Sequence, residues 1–297
     1  MEFSDEKLRL AKEGIRQELE AKGFRAFRFI SADFLHEGPF EDAKSEEASK
    51  EIKSIVVILF PYFTGETAGN MSLYCRGRDY HAVVPKLLKS AVEKARSILG
   101  EEAKAEAYAD TGPLHDRYLV QRSFLAVRGQ NQMMISPVYG SYFFCAYIAL
   151  NAPLEPDPIP EWKRTEEEKY RVDCLRCGKC LEACPGGALQ PDGSFRIERC
   201  LSAITQKTGE LSEKEKEILL KGTTVFGCDI CQTVCPMNAE ACPTFIPDFA
   251  KERIDSLTLE DLEGLTRRSF KEKYPERAFT WRGPEVIRRN LRIKNGD

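Results

Sequence analysis

The sequence predicts a mixed fold, α+β or α/β, over residues 1–150, followed by a cysteine-rich module and a short helical tail. Three observations carry that reading. Two amphipathic helical patterns flank strand-like runs; Ile52–Phe60 is a nearly unbroken β-branched stretch; and nine of eleven cysteines fall between Cys174 and Cys242. Helices alternating with strands argue a layered α/β or α+β domain.

Taken in order, residues 5–22 place Leu8, Ala11, Ile15 and Leu19 on one face among charges and stop at Gly23, which predicts a helix. Phe24–Ile30 reads as a strand, and the acidic segment from Phe34 to Lys53 begins as a loop at Gly38-Pro39. Ile52–Phe60, bounded by Pro61, reads as a buried strand. Tyr80–Leu99 predicts a second helix with Val83, Val84, Leu87, Leu88, Val92 and Ile98 inward and Gly100 behind it. Ala103–Ala109 is a short strand ending at Asp110, and Met133–Ser136 with Tyr139–Leu150 suggests a strand pair turning at Ser136-Pro137. Residues 151–162 form a proline-rich linker, with four prolines between Pro153 and Pro160. The cysteine module takes 163–246 and a basic helical tail 247–297, with short helices at Leu257–Leu265 and Ser269–Tyr274.

At 297 residues the chain has room for about two domains. Its net charge of −3 excludes polyanion binding by bulk charge. The charge is uneven, however: from Gly264 to Gly296 there are ten Lys and Arg against three Asp and Glu, and Arg267-Arg268 and Arg288-Arg289 suit either an RNA-facing surface or a solvated helix. No apolar run approaches the roughly 18 residues of a membrane span. The start, Met1-Glu-Phe-Ser-Asp5, lacks the basic and apolar regions of a secretory leader, so the expected location is cytoplasmic, where thiols stay reduced and available to metal.

Cys174-Leu-Arg-Cys177-Gly-Lys-Cys180-Leu-Glu-Ala-Cys184-Pro185 has the C-x2-C-x2-C-x3-C-P spacing of two-cluster ferredoxins. Three thiolates on a tight loop can hold three corners of a cubane, while the fourth starts away and ligates the other cluster. The second run, Cys228-Asp-Ile-Cys231-Gln-Thr-Val-Cys235-Pro236, has Val225 where its first Cys should stand. Crossed ligation then gives one 4Fe-4S cluster on Cys174, Cys177, Cys180 and Cys235. The second takes Cys184, Cys228, Cys231 and a stand-in. Cys200 is preferred because Glu198-Arg-Cys200-Leu-Ser looks like a helix start; Cys242, beyond Pro236, is the second candidate. Structural zinc on paired C-x2-C units is the bland alternative, but zinc needs neither the third close Cys nor the Cys-Pro ending.

Outside the module, Asp110 precedes Thr111-Gly-Pro113, as a turn-former would or as an acid at a strand end would. Tyr74-Cys-Arg-Gly-Arg-Asp-Tyr-His81 gathers Arg76, Arg78, Asp79, Tyr80 and His81 before a helix, where Asp79 is also a natural N-cap. The same stretch misses a D-x-H-x-x-G corrinoid motif by one residue, Val84. His36 lies in a polar loop, and Cys75 and Cys145 suit buried apolar positions.

Together, Tyr74-x-x-Gly-Arg-Asp-Tyr-His81, Asp110-Thr-Gly-Pro113, Gly140-Ser-Tyr-Phe-Phe144, the first cysteine run, Arg199-Cys200-Leu-Ser202-x-x-Thr205 and Gly227-Cys-Asp-x-Cys-Gln-x-Val-Cys-Pro236 resemble the epoxyqueuosine reductase family over about residues 50–245. The resemblance implies a cobalamin-dependent reductase with two 4Fe-4S clusters that reduces epoxyqueuosine to queuosine in tRNA anticodons. It implies Cys200 as the stand-in ligand and Asp110 as proton donor. It also implies cobalamin between the two domains, near Gly140, Ser141, Ser202 and Thr205, with Arg76, Tyr80 and His81 contributing to the cofactor site. A tRNA partner, an external low-potential electron donor and a monomer go with it. The chain departs from the family pattern at Asp116-Arg117, at Phe124–Asn131, where glycines, a Trp and a Lys are lost, and at Tyr147, which replaces a Glu; the family's helical-repeat tail is absent or truncated. Two alternatives follow: a related corrinoid and iron-sulfur reductase of another small molecule, or a two-cluster electron-transfer protein without catalysis.

Overall fold

The computed structural model describes residues 3–36, 50–65, 67–160 and 174–296. The middle of the acidic loop, the end of the proline-rich linker and the start of the cysteine module lie outside these residues. The N-terminal domain runs α1 (Asp5–Ala21), β1 (Phe27–Ser31), β2 (Ser54–Pro61), α2 (Tyr80–Leu99), β3 (Ala105–Tyr108), α3 (Asp116–Arg122), β4 (Val127–Arg128), β5 (Met134–Ile135) and β6 (Phe143–Leu150). Among the described residues, the main sheet has the order β1-β2-β6-β3, and every pairing in it is antiparallel.

The fold is thus mixed, as expected, and of the two forms the sheet takes the antiparallel one. The run that reads as a buried strand is buried at all eight positions of β2. Its alternation splits cleanly: Val56, Ile58 and Phe60 pack with α1 and α2, while Ile55, Val57 and Leu59 face Leu119 and Val120 of α3. The strand pair expected at Met133–Leu150 does not form as such. Met134-Ile135 pairs with Val127-Arg128 instead, β6 enters the main sheet between β2 and β3, and the two segments meet in the Ser136–Gly140 bridge.

Residues 151–160 are tied to the first domain rather than strung out as a spacer. Asp157 exchanges main-chain and side-chain bonds with Phe29 and pairs with Lys12 and Arg16, while Ala152 and Leu154 are buried. The cysteine module then runs α4 (Lys179–Ala183), α5 (Leu201–Gln206), α6 (Glu213–Lys221) and α7 (Ile230–Thr233), and the tail α8 (Pro247–Ala250), α9 (Arg267–Lys273) and α10 (Pro284–Asn295).

The tail is integral to the module. Phe270, Phe279, Ile287 and Leu291 share a core with Met71, Cys75, Val225 and Phe226. Its cations are largely spent on main-chain carbonyls: Arg288 on Leu262 and Leu265, Arg289 on Lys207 and Gly209, Lys294 on Leu219. The two arginines that suited an RNA-facing surface at 288 and 289 are therefore internal staples. Arg268 is 90% exposed and pairs with Glu272 at 2.9 Å.

Candidate functional site

The site begins where β3 ends. Asp110 takes a left-handed backbone (φ +63°), rare for a side-chain-bearing residue. Beside it α2 starts at Tyr80, with Asp79 as N-cap accepting from the His81 main-chain N–H. His81 lies between two carboxylates, its Nδ1 2.8 Å from Asp79 Oδ1 and its Nε2 3.4 Å from Asp110 Oδ2. Hydrogen bonds to Asp110 and then Asp79 push the imidazole up to about 9, so it carries a proton at neutral pH. The same contact, aided by the Tyr80 hydroxyl, holds Asp110 below the usual carboxylate range. Tyr80 is itself fixed by stacking on Phe144, 4.2 Å between ring centroids.

Asp110 opens on a cavity of about 750 Å3 between the N-terminal domain and the cysteine module. Tyr80, Asp110, Ser141 and Phe144 line one side; Cys184, Cys200, Ser202, Cys228 and Cys231 line the other. Four residues expected at the cofactor stand off its wall. Arg76 is 4% exposed and holds Met71 O, Thr67 and Asp255, a staple for the 67–76 turn. Gly140 (φ +54°) abuts Asn238, whose Oδ1 would lie 2.1 Å from an added Cβ. Thr205 is fully buried and accepts the Gly227 N–H at 2.9 Å. His81 is not part of the lining and bonds Asp110, which is.

The cysteines gather in two sets. Cys180 neighbours Cys174 and Cys235, and Cys235 neighbours Cys174 and Cys177. Cys228 neighbours Cys200 and Cys184, as does Cys231, which also has Cys180 of the first set nearby. Burial first, then Asp229 and the nearby sulfurs, push the Cys228 thiol up to about 12. Sulfur donors gathered around Cys228 and Cys231 at a largely desolvated site are the donor chemistry an iron-sulfur cluster fits. Cys242 lies elsewhere, exposed, with its N–H on Val138 O. Val225 is 1% exposed in the tail core, so its side chain points away from the cysteines; a Cys there would miss the cluster.

Sequence reasoning missed the residues that join the two halves. Asp229, half-buried in the second run, accepts Ser72 Oγ–H at 2.7 Å and Leu73 N–H at 2.8 Å. Ser141 N–H donates to Asn238 Oδ1 at 2.7 Å, and Ser141 Oγ bonds Gln232 Oε1 at 3.0 Å. Buried polar side chains must find partners, and these find them across the domain boundary. The only sequence signal was their place inside the cysteine spacing, which says nothing about long-range partners. The departing loop also packs here: Gln130 N–H points at Cys174 Sγ (3.4 Å), and Asn131 Nδ2 at Cys231 O (3.3 Å).

Comparison with known proteins follows the same division. The family model described as a 4Fe-4S double cluster binding domain matches residues 173–238, and that described as epoxyqueuosine reductase QueG, DUF1730, matches residues 43–111. An epoxyqueuosine reductase of Bacillus subtilis is 34% identical over 223 residues, 73% of this chain and 54% of the relative. One of Lactococcus garvieae is 30% identical over 271 residues, 88% of this chain and 74% of the relative. The chain spans between 54% and 62% of the length of three Bacillus relatives. A crystal structure of an epoxyqueuosine reductase with an epoxyqueuosine-modified tRNA-Tyr stem loop superposes with a TM-score of 0.75 at 29% identity, covering 97% of this chain and 81% of that one.

Proposed function

The chain belongs to the epoxyqueuosine reductase family, and from that premise we propose that it is a cobalamin-dependent iron-sulfur reductase acting on epoxyqueuosine in tRNA anticodons. One observation carries the reading: Asp110 and the second cysteine set line opposite sides of one cavity, so protons and electrons converge on the same space. Removing an epoxide oxygen as water takes two of each.

In this reading Cys174, Cys177, Cys180 and Cys235 hold one 4Fe-4S cluster and Cys184, Cys200, Cys228 and Cys231 the other, which supply one-electron transfer over the potential range such clusters span. The mainly apolar wall between them and Asp110, with Phe143, Phe144, Met133 and Met134, fits a corrin face, while Ser141 and Ser202 offer polar edges. A corrinoid bound there would supply a reducible metal centre close to the substrate. Asp110 and His81 share the acid role: the imidazole stores the proton and Asp110, whose side chain is 67% exposed and lines the cavity, presents it to the leaving oxygen. The modified base enters from an anticodon loop, where unstacking costs least.

Among the described residues no helix is long and apolar enough to cross a membrane. Reduced thiols for two clusters suit the cytoplasm, and we place the protein there as a monomer fed by an external low-potential donor. The test is anaerobic reconstitution with iron and sulfide, addition of cobalamin, and assay with an epoxyqueuosine-bearing stem loop. Corrinoid binding with turnover supports the reading. Corrinoid binding without turnover on this RNA leaves a related reductase of another molecule, and clusters alone leave an electron carrier.

A further inference from the structure

Asp110 sits on a turn that is held at both ends by residues outside it. Its left-handed backbone is a strained conformation for a residue with a side chain, and that side chain is 67% exposed. The hold comes from two residues further on. Asp116 Oδ2 accepts the Asp110 main-chain N–H at 2.7 Å. At the other end of the turn, the hydroxyl of Tyr147, a fully buried residue on β6, accepts the Leu114 N–H at 3.0 Å. Between them Gly112 lies so close to the sheet that an added Cβ would stand 2.1 Å from Tyr147 Oη and 2.6 Å from Tyr108 Cβ.

The choice of a carboxylate at 116 is costly. Its Oδ1 is buried without a hydrogen-bond partner, and burial pushes the acid up to about 6. A carboxyl group kept there at that cost, with its other oxygen on the Asp110 amide, is doing more than closing a surface loop.

We propose that Asp116 and Tyr147 are positioning residues that clamp the two ends of the 110–114 turn, so that Asp110 stays against His81 and facing the cavity. This rests on the reading of Asp110 as the proton-delivering group, but the clamp itself is a property of the folded chain. It acts through main-chain amides, so any side chain that keeps the acceptor keeps the clamp.

The test uses the full chain. Amide hydrogen exchange over residues 108–116 is followed without cofactor or substrate, and turnover is followed on the reconstituted protein. Asp116→Leu should speed exchange at Asp110 about tenfold or more, the loss of its hydrogen bond to the carboxyl group, and lower kcat by a similar factor with KM little changed. Asp116→Asn, which keeps an amide oxygen for the Asp110 N–H, should restore most of both. Tyr147→Phe should release Leu114 in the same way. If Asp116→Leu fails to fold, Asp116→Ser, too short to reach the amide, carries the same expectation. Exchange in the Leu or Ser variant matching the wild type overturns the clamp, as does an Asn variant as impaired as the Leu variant. If the wild type shows no epoxide reduction at all, the functional reading falls while exchange still judges the clamp.

Discussion

His81 Nε2 lies 3.4 Å from Asp110 Oδ2 while its Nδ1 lies 2.8 Å from Asp79 Oδ1, so one imidazole is gripped by two carboxylates. Because His81 is raised to about 9, its contribution is complete below the free imidazole range and is lost as pH rises through 9. Asp110, held below the usual range, contributes above that range and loses its charge as pH falls through the lowered value. Turnover should therefore persist through neutral pH and decline with an apparent pKa near 9. Replacing His81 with Gln should remove that basic limb in a pH profile of kcat; an unchanged limb would assign it to another group.

The second cysteine set makes a sharp compositional prediction. Cys200→Ser should lose about half of the iron and sulfide bound after reconstitution, because three remaining thiolates leave one cluster a ligand short. Cys242→Ser, on the exposed cysteine beside Val138, should retain both clusters. Adding Val225→Cys to Cys200→Ser should not restore iron content, since position 225 faces Phe226, Phe270 and Ile287 rather than the sulfurs. Recovery in that double variant would show that the loop can turn over.

Gly140 tests the joint between the halves. It combines φ +54° with a contact to Asn238 that leaves no room for a methyl group. Asn238 in turn serves Ser141 and Gln232 O, so displacing it breaks several buried hydrogen bonds. Gly140→Ala should cost about 2–4 kcal/mol by denaturant unfolding. A loss below about 1 kcal/mol would mean that the joint yields easily.

These residues also show what the sequence could and could not reveal. The β2 run and the α1 and α2 faces were legible because burial on both sides of a sheet, or one side of a helix, leaves a periodic signature. The cysteine sets were legible because ligand geometry dictates spacing. Arg76 read as a site residue and proved a staple because an arginine among Gly and Asp looks the same whether it meets a ligand or the carbonyl of Met71. Asp229 and Asn238 stayed silent because their partners are fixed only by tertiary packing, at sequence separations no local pattern encodes. Strand pairing at 133–150 failed for the same reason: β6 found a better-buried place between β2 and β3 than beside its neighbour in sequence.

The basic tail gives the last prediction. Asn290 Nδ2 donates to Thr205 O and Val225 O, both at 2.8 Å, and Arg289 reaches the carbonyls of Lys207 and Gly209 around the end of α5. Arg289 also donates to the part-buried Ile204 O at 3.4 Å, and a carbonyl left unpaired there costs about 1–3 kcal/mol. Arg289→Ala should therefore lower stability by about 1–3 kcal/mol while changing the salt dependence of RNA binding little. Arg268→Ala, on a side chain 90% exposed, should leave stability unaltered. If Arg268 contacts phosphate, its loss should reduce the slope of log affinity against log salt by about one. Reversal of the two outcomes, with Arg289 governing the salt slope and Arg268 the stability, would mean that α10 detaches from the cysteine module when RNA binds.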